Sequence, residues 1–158
     1  MIHIRELAPD EVALLKELRL RALQDAPEAF GDSMEEASAR PDAYWQTMAE
    51  SLTGKSSQRM FIAVRDDRCV GSVFALGDAE DPLGARLGGM WVDTPGRGQG
   101  IGLALTETVI GWARGNGLQR VRLWVADSDT PAHRLYLKSG FVDTAIRDTA
   151  RTRIDKDL

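Results

Sequence analysis

The chain has 158 residues, 43% of them hydrophobic and 28% charged, which is the composition of a folded globular protein and not of a disordered or collagen-like chain. Its formal net charge of −4 gives no general field to attract nucleic acid, and no apolar run approaches the ~20 residues that span a bilayer. The single cysteine, Cys69, has no partner for an intramolecular disulfide. We therefore expect one domain over residues 1–158, in the cytoplasm, with neither nucleic acid nor a membrane as partner.

The N-terminal half of the sequence predicts a strand, two helices and a β-hairpin. IHIREL alternates as a short strand does, and the apolar spacing that follows predicts a helix from Pro9 to about Asp25. PEAFGDSMEE has the composition of a loop, and a second helix begins at Pro41. The β-rich runs MFIAV and CVGSVFAL flank a polar turn at Asp66 and Asp67, which is typical of a hairpin.

The C-terminal half alternates strands and helices. GDAEDPLG is predicted as a loop, and ARLGGMWV as a strand in which Gly88 and Gly89 indicate a bulge or a close backbone approach. A helix follows the glycine-rich stretch, then the strand RVRLWV, and then a helix that starts at Pro131 and ends at Gly140. FVDTAI and RTRIDKDL are predicted as a closing pair of strands. This order of elements predicts an α/β (α+β) domain.

The stretch VDTPGRGQGIG has glycine at every second position from Gly96 to Gly102. At a strand-to-helix junction, backbone N–H groups lack partners and the helix dipole favours an anion; glycines let that anion approach closely. The stretch contains no lysine for a P-loop and lacks the third glycine of a dinucleotide fingerprint. The sequence therefore favours another kind of phosphate-bearing ligand, with a glycine-rich turn that binds nothing as the alternative.

Two motifs in this order resemble one known family. RGQGIG at 97–102 resembles the R/Q-x-x-G-x-G/A loop of the GCN5-related N-acetyltransferases (GNAT), and AHRLYLKSGF at 132–141 resembles their second motif, N-x-x-A-x-x-L-Y-x-K-x-G-F. The resemblance implies a mixed, largely antiparallel central sheet of six to seven strands with four helices on its faces. It also implies transfer of acetyl from acetyl-CoA to a primary amine of a small molecule or peptide, by direct attack in a ternary complex. Homodimers occur in the family, so a homodimer is a further expectation.

The resemblance also assigns residues to coenzyme A. Its pyrophosphate would lie on the amides of the glycine loop, and its pantetheine arm along the preceding strand, as an added β-strand does. Amides freed by the glycine bulge would polarise the acetyl carbonyl. The predicted cofactor-binding residues are Met90, Trp91, Val92, Arg97, Gly98, Gln99, Gly100, Ile101, Gly102, Leu103, Asp129 and Lys138. Asp129 stands where the family usually has asparagine and could instead cap the last helix, and Lys138 could simply be exposed.

Tyr136 is the predicted catalytic residue, because the family's tyrosine at this position acts as a general acid toward the leaving thiolate. The alternative is a tyrosine that only packs in the core. No glutamate occurs in RLGGMWV, where many relatives have the general base, so no base is assigned among Asp78, Glu80, Asp81 and Asp127. That absence also motivates an alternative function, an acyl-CoA-binding sensor or scaffold without turnover.

The acceptor is predicted to bind beside the two N-terminal helices. Phe30, Ser33 and Trp45 are the predicted substrate-binding residues, with core packing as the alternative for the aromatic ones. Residues 1–60 carry 11 acidic and 7 basic residues, which favours a cationic acceptor. With one cysteine and two separated histidines, no metal site is predicted.

Overall fold

A computed structural model of the chain describes residues 1–26, 32–126, 130–148 and 151–158. The strands are β1 (His3–Glu6), β2 (Arg59–Arg65), β3 (Arg68–Asp78), β4 (Asp81–Val92), β5 (Arg120–Ala126), β6 (Val142–Asp148) and β7 (Arg151–Asp157). The α-helices are α1 (Val12–Asp25), α2 (Met34–Ala39), α3 (Asp42–Ser51), α4 (Ile101–Gly115) and α5 (Pro131–Lys138). Within these ranges, no helix is both long enough and apolar enough to cross a membrane.

The seven strands form one mixed sheet in the order β1-β2-β3-β4-β5-β7-β6. β4 and β5 run parallel, and every other neighbouring pair is antiparallel. This confirms the predicted mixed, largely antiparallel sheet of six to seven strands. The hairpin between β2 and β3 is also confirmed: Asp66 and Asp67 have φ of 50° and 61°, the left-handed pair that a two-residue turn requires.

The helix count and one loop differ from the sequence prediction. Four helices are expected, but the described residues contain five, because α2 begins at the end of the stretch predicted as a loop and continues to Ala39. Its start is stabilised by the Ser33 hydroxyl, which accepts a hydrogen bond from the Glu36 amide at 3.0 Å. The predicted loop GDAEDPLG is a tight hairpin turn instead, since β3 extends to Asp78 and β4 begins at Asp81.

Apolar side chains pack on both faces of the sheet. On one face, α4 buries Ile101, Leu105 and Val109 against β2–β5 and β7. On the other face, α1 and α3 form a second cluster with the sheet, in which Leu15 and Trp45 are almost completely buried. Each of these helices therefore presents a single apolar stripe to the sheet, as amphipathic helices do. β4 contributes to both clusters, because its side chains alternate between the two faces.

Candidate active site

The strands β4 and β5 separate near the middle of the sheet. Their described pairing covers residues 84–86 of β4 and 120–122 of β5, and stops there. Beyond that point β4 continues to Val92 while its other edge stays paired with β3. The edge of residues 87–92 that faces β5 therefore presents backbone donors and acceptors that no described neighbouring strand satisfies, and an extended ligand can pair with such an edge.

The glycine loop begins where β4 ends. A short 3-10 turn spans Thr94–Gly96, and α4 starts at Ile101 with Gly100 as its N-cap. Gly98 and Gly100 have φ of +76° and +79°, a left-handed conformation that residues with a Cβ rarely adopt. A Cβ at either position would meet no atom within 4 Å, so their outer sides are open. The first amides of α4 lack intrahelical partners here, beside the positive end of its dipole.

A cavity of about 560 Å³ joins this loop to the open edge of β4. Its wall is largely apolar and carries one formal charge, that of Arg97, whose Nε donates to the Val92 carbonyl at 3.1 Å. Twelve residues line it: Met90, Val92, Gly96, Arg97, Gly98, Gly100, Ile101, Gly102, Pro131, Ala132, Leu135 and Tyr136. Both sequence motifs therefore contribute to a single cavity.

Tyr136 lies on the α5 side of this cavity. Only 5% of the residue is exposed, and its ring packs edge-on against Phe141 with a centroid distance of 5.8 Å. Burial raises the pKa of Tyr136 well above its ordinary value of 10, so the hydroxyl stays protonated at neutral pH. Among the described residues, no hydrogen-bond partner occupies this hydroxyl. The cavity thus holds a protonated hydroxyl that a ligand can use.

The predicted bulge is present in β4, on the strand segment that borders the cavity. Ser72 pairs with Trp91 and Phe74 pairs with Gly88, so Gly89 and Met90 together lie opposite the single residue Val73. Gly89 has a φ of +58°, and a Cβ there would lie 2.6 Å from Cδ2 of Phe74. Only glycine fits this position, because a side chain would collide with the ring.

The other predicted cofactor residues differ in burial and in what their side chains contact. The side chain of Trp91 is buried on the α1 face, where its Nε1 donates to the Asp25 carboxylate at 2.9 Å. The Gln99 side chain donates a hydrogen bond to the Pro95 carbonyl and accepts one from Arg65. Leu103 is exposed. Lys138 is exposed and lines an adjoining cavity of about 470 Å³, which shares Pro131 and Leu135 with the first. Asp129 lies outside the described residues.

The two predicted acceptor residues that the structure describes, Ser33 and Trp45, have structural roles. Trp45 is 1% exposed and packs in the core below α1, so its substrate-binding assignment is corrected to core packing. The Ser33 hydroxyl is engaged in capping α2. Phe30 lies outside the described residues. Sequence reasoning could not separate these roles, because the sequence shows the helix on which a residue lies but not what its side chain touches.

Two residues of the site region were missed, Asp93 and Arg21. Asp93 is buried at the end of β4, and its Oδ1 accepts a hydrogen bond from the Gly96 amide at 2.9 Å. The spacing Asp-x-x-Gly is typical of such a cap and could have indicated it. Arg21 approaches Asp93 from α1, with Nη2 3.5 Å from Oδ2. Nothing in the local sequence indicated that contact.

Comparison with known proteins identifies the family. The model of the Acetyltransferase (GNAT) family matches residues 17–141. The mycothiol acetyltransferase of Thermomonospora curvata is 33% identical over 147 residues, which cover 92% of this chain and 46% of that protein. That of Thermobispora bispora is also 33% identical over 147 residues, covering 89% of this chain and 46% of its own length. The chain therefore spans less than half the length of these relatives.

Solved structures agree on the fold. The PaiA N-acetyltransferase of Thermoplasma acidophilum, solved in complex with coenzyme A, superposes with a TM-score of 0.80 at 16% identity, covering 100% of this chain and 99% of that one. A GNAT-family acetyltransferase of Streptococcus pneumoniae gives a TM-score of 0.79 at 20% identity, with 100% of both chains covered. At such identities the likeness shows the fold alone.

The open edge of β4, the glycine loop and the adjoining cavity define a GNAT fold. The chain belongs to the acetyltransferase (GNAT) family. In the described part of the chain, two left-handed glycines open the loop, and the strand edge beside them has unpaired backbone groups.

Proposed function

We propose that this chain transfers acetyl from acetyl-CoA to a primary amine of a small molecule or peptide, by direct attack of the amine within a ternary complex. The observation that carries the proposal is the single cavity in which the glycine loop, the open edge of β4 and Tyr136 meet. Acetyl-CoA supplies an acetyl group activated as a thioester. The chain's part is to bind that thioester, orient the amine and return a proton to the leaving sulfur.

Binding of the cofactor falls to the loop and the strand. The amides of residues 98–103, at the N-terminus of α4, take the pyrophosphate. Residues Met90 to Val92 pair with the pantetheine arm through the free edge of β4. Arg97 adds a charge at the mouth of the cavity. Gly102 lies where α4 meets α5: a Cβ there would lie 3.4 Å from Cδ1 of Leu135, in ordinary van der Waals contact.

The bulge and Tyr136 serve the chemistry. A bulge frees amides from the strand ladder, and those of Gly89 and Met90 are placed to polarise an acetyl carbonyl held along β4. Tyr136 acts as the general acid, because its buried hydroxyl keeps its proton at neutral pH and has no described partner to compete for it. When acetyl-CoA fills the largely apolar cavity it displaces water, which strengthens both interactions.

The acceptor approaches β4 from the side of α1. The opposite face is occupied by the cavity, whereas Gly88 to Met90 remain partly accessible. Arg19 lies on this side, with its guanidinium carbon 5.2 Å from the centroid of Phe74. The ion pair of Arg40 with Asp32 joins the two residues that flank α2. The curated relatives are named for mycothiol, so an amine related to mycothiol belongs in any acceptor panel.

The proposal is tested by release of free thiol from acetyl-CoA in the presence of a panel of amines, peptides with free N-termini among them. We expect turnover with at least one acceptor and a mass increase of one acetyl group on its amine. Tyr136→Phe is the matched variant, since it removes one oxygen from the cavity and keeps the ring. Tight binding of acetyl-CoA without turnover of any acceptor would contradict the proposal and restore the binding module.

A further inference from the structure

Asp93 is the last residue before the loop and one of the few charged residues that the fold buries, with 5% of it exposed. Its amide donates to the Val70 carbonyl at 2.9 Å, which anchors it to the end of β3. Its Oδ1 accepts from the Gly96 amide at 2.9 Å. The carboxylate therefore fixes the turn through which the chain passes from β4 into the glycine loop.

The turn is packed directly onto that carboxylate. A Cβ at Gly96 would lie 2.8 Å from Oδ1 of Asp93 and 2.9 Å from Cδ1 of Ile101, which is closer than Cβ atoms pack. Ile101 is the first residue of α4 and is 2% exposed. The carboxylate and the first side chain of α4 thus both pack closely around Gly96, so a shift of the carboxylate can reach the start of the helix through this residue.

The second oxygen of Asp93 faces the α1 side. Nη2 of Arg21 lies 3.5 Å from Oδ2, and the guanidinium carbon lies 4.8 Å from the centroid of Trp91. Nη2 of Arg21 is buried and has no hydrogen-bond partner in the described part of the chain. Arg68 approaches the same oxygen at 3.9 Å, but its side chain is 67% exposed. Of the two cations, Arg21 therefore interacts more strongly with Asp93, because its burial reduces the competition of water.

We propose that Asp93 and Arg21 are positioning residues for the acetyl-CoA loop, with Asp93 holding the turn and Arg21 holding Asp93 from the α1 side of β4. The inference rests on the proposed assignment of the glycine loop to the cofactor. Neither residue lines the cavity. Their effect passes through Gly96 to the amides that follow it, and α1 thereby contributes to cofactor affinity without touching the cofactor.

The physical reason is preorganisation. A loop that is already in its binding conformation loses little conformational entropy when a ligand arrives, whereas an uncapped loop must be ordered at the expense of affinity. Loss of Asp93 therefore raises the dissociation constant and the KM for acetyl-CoA. The rate at saturating acetyl-CoA changes little, because Tyr136 and the bulge are not moved. A residue that only stabilises the fold would not produce this split.

The test measures the dissociation constant of acetyl-CoA by calorimetry and the steady-state constants of the wild type and three variants. Asp93→Ala removes cap and charge, and we expect its dissociation constant to rise about tenfold or more. Asp93→Asn keeps an oxygen for the Gly96 amide but loses the charge that Arg21 meets, so about a threefold rise is expected, as for Arg21→Gln. The double variant Asp93→Asn with Arg21→Gln should be no weaker than either single one, because both remove the same interaction.

Asp25→Ala is the matched control. It breaks the hydrogen bond that Trp91 Nε1 donates to α1, on the same face of the same strand, without touching the loop. We expect it to lower the unfolding temperature while leaving the acetyl-CoA dissociation constant within about twofold of the wild type, because the cap of Asp93 on the Gly96 amide stays intact. An equal loss of affinity in Asp25→Ala and Asp93→Ala would show a merely structural role and overturn the inference.

The remaining outcomes separate the inference from the proposed function. A folded Asp93→Ala that binds acetyl-CoA as the wild type does overturns the inference alone. A wild type that binds no acetyl-CoA defeats the assignment of the loop, and the inference with it. Should Asp93→Ala fail to fold, Asp93→Asn and Arg21→Gln decide: unchanged dissociation constants in both contradict the inference, and raised ones support it.

Discussion

On the face of β4 that Met90 and Val92 occupy, the structure has a largely apolar cavity bounded by glycines and one buried tyrosine. On the face that Trp91 occupies, it has a buried indole between α1 and the sheet, with Arg21 packed against it. The side chains of β4 alternate between the two faces of the sheet, so one strand borders both the cavity and the packed α1 face. The first environment presents open backbone and space for a ligand. The second fixes where that backbone lies.

The contrast explains why so few polar side chains line the cavity. A phosphate and an extended arm can be recognised by main-chain amides, provided that no Cβ stands in the way and the backbone is rigid. Rigidity then has to be supplied from elsewhere, and the α1 face supplies it through Asp93 and Arg21. Substitutions on the two faces should consequently differ in kind: chemistry and affinity on one, stability and positioning on the other.

Tyr136→Phe should have the largest effect of the substitutions on the cavity face, and the effect should be on kcat. We expect kcat to fall about 100-fold or more, because general acid catalysis contributes roughly that much, while the acetyl-CoA dissociation constant stays within about twofold. No described partner loses a hydrogen bond, so stability is preserved. Steady-state kinetics with calorimetry checks this. A variant with full kcat would reduce Tyr136 to a packing residue.

Gly100→Val tests the loop itself. The substitution places a branched residue at a φ of +79° and a side chain where the loop is open, so acetyl-CoA should bind about 100-fold more weakly, from strain together with a blocked approach. Gly111→Ala is the control, since it lies in the same helix with a normal φ and nothing within 4 Å of a Cβ. Calorimetry should show that the control binds normally. Equal affinities for both variants would contradict the loop assignment.

Gly89→Ala, a substitution in the bulge of β4, should destabilise the protein more than the adjacent Gly88→Ala. Its Cβ would lie 2.6 Å from the Phe74 ring at a φ of +58°, and we expect the free energy of unfolding to fall by about 3 kcal/mol. The adjacent Gly88→Ala should cost under about 1 kcal/mol, because its Cβ meets Leu76 at an ordinary 3.6 Å. Urea unfolding of the two variants compares them directly. Equal losses would mean that the bulge is not as tight as described.

The alkaline pH dependence of stability is the smallest effect. Burial raises the pKa of Tyr136, so above pH 10 the unfolded chain releases this proton while the native protein keeps it. The unfolded state then binds fewer protons, and stability falls by about 1.4 kcal/mol per pH unit as pH rises. Tyr136→Phe should lack this contribution, and Tyr44→Phe, whose ring is exposed, should keep it. Urea titrations between about pH 9 and pH 11 measure the difference.

Local patterns predicted most of the fold. Alternation of apolar and polar residues predicted strands, and the Asp66–Asp67 pair predicted the turn that joins β2 and β3. The short helix α2 escaped prediction, because six residues carry too little periodicity and the helix depends on the Ser33 cap. The turn between β3 and β4 was hidden by its acids and proline, which resemble a loop in composition.

The candidate site was predicted in part. Glycine spacing and the LYLKSGF motif indicated two walls of the cavity, since both are local features. The roles of Trp45 and Arg21 could not be predicted, because burial and the contact with Asp93 depend on which residues the fold brings together. For Asp93, the cap on Gly96 is visible in the sequence as a spacing, but the contact with Arg21 of α1 is not.

Hydrogen exchange with and without acetyl-CoA tests the central claim most directly. The account predicts that acetyl-CoA slows exchange in residues 87–92 of β4 and 98–103 of the glycine loop. Residues 84–86, which β5 already pairs, should change little. Protection of the β1–β2 edge, or unchanged exchange in residues 87–103 at saturating acetyl-CoA, would contradict the placement of the active site in this cavity.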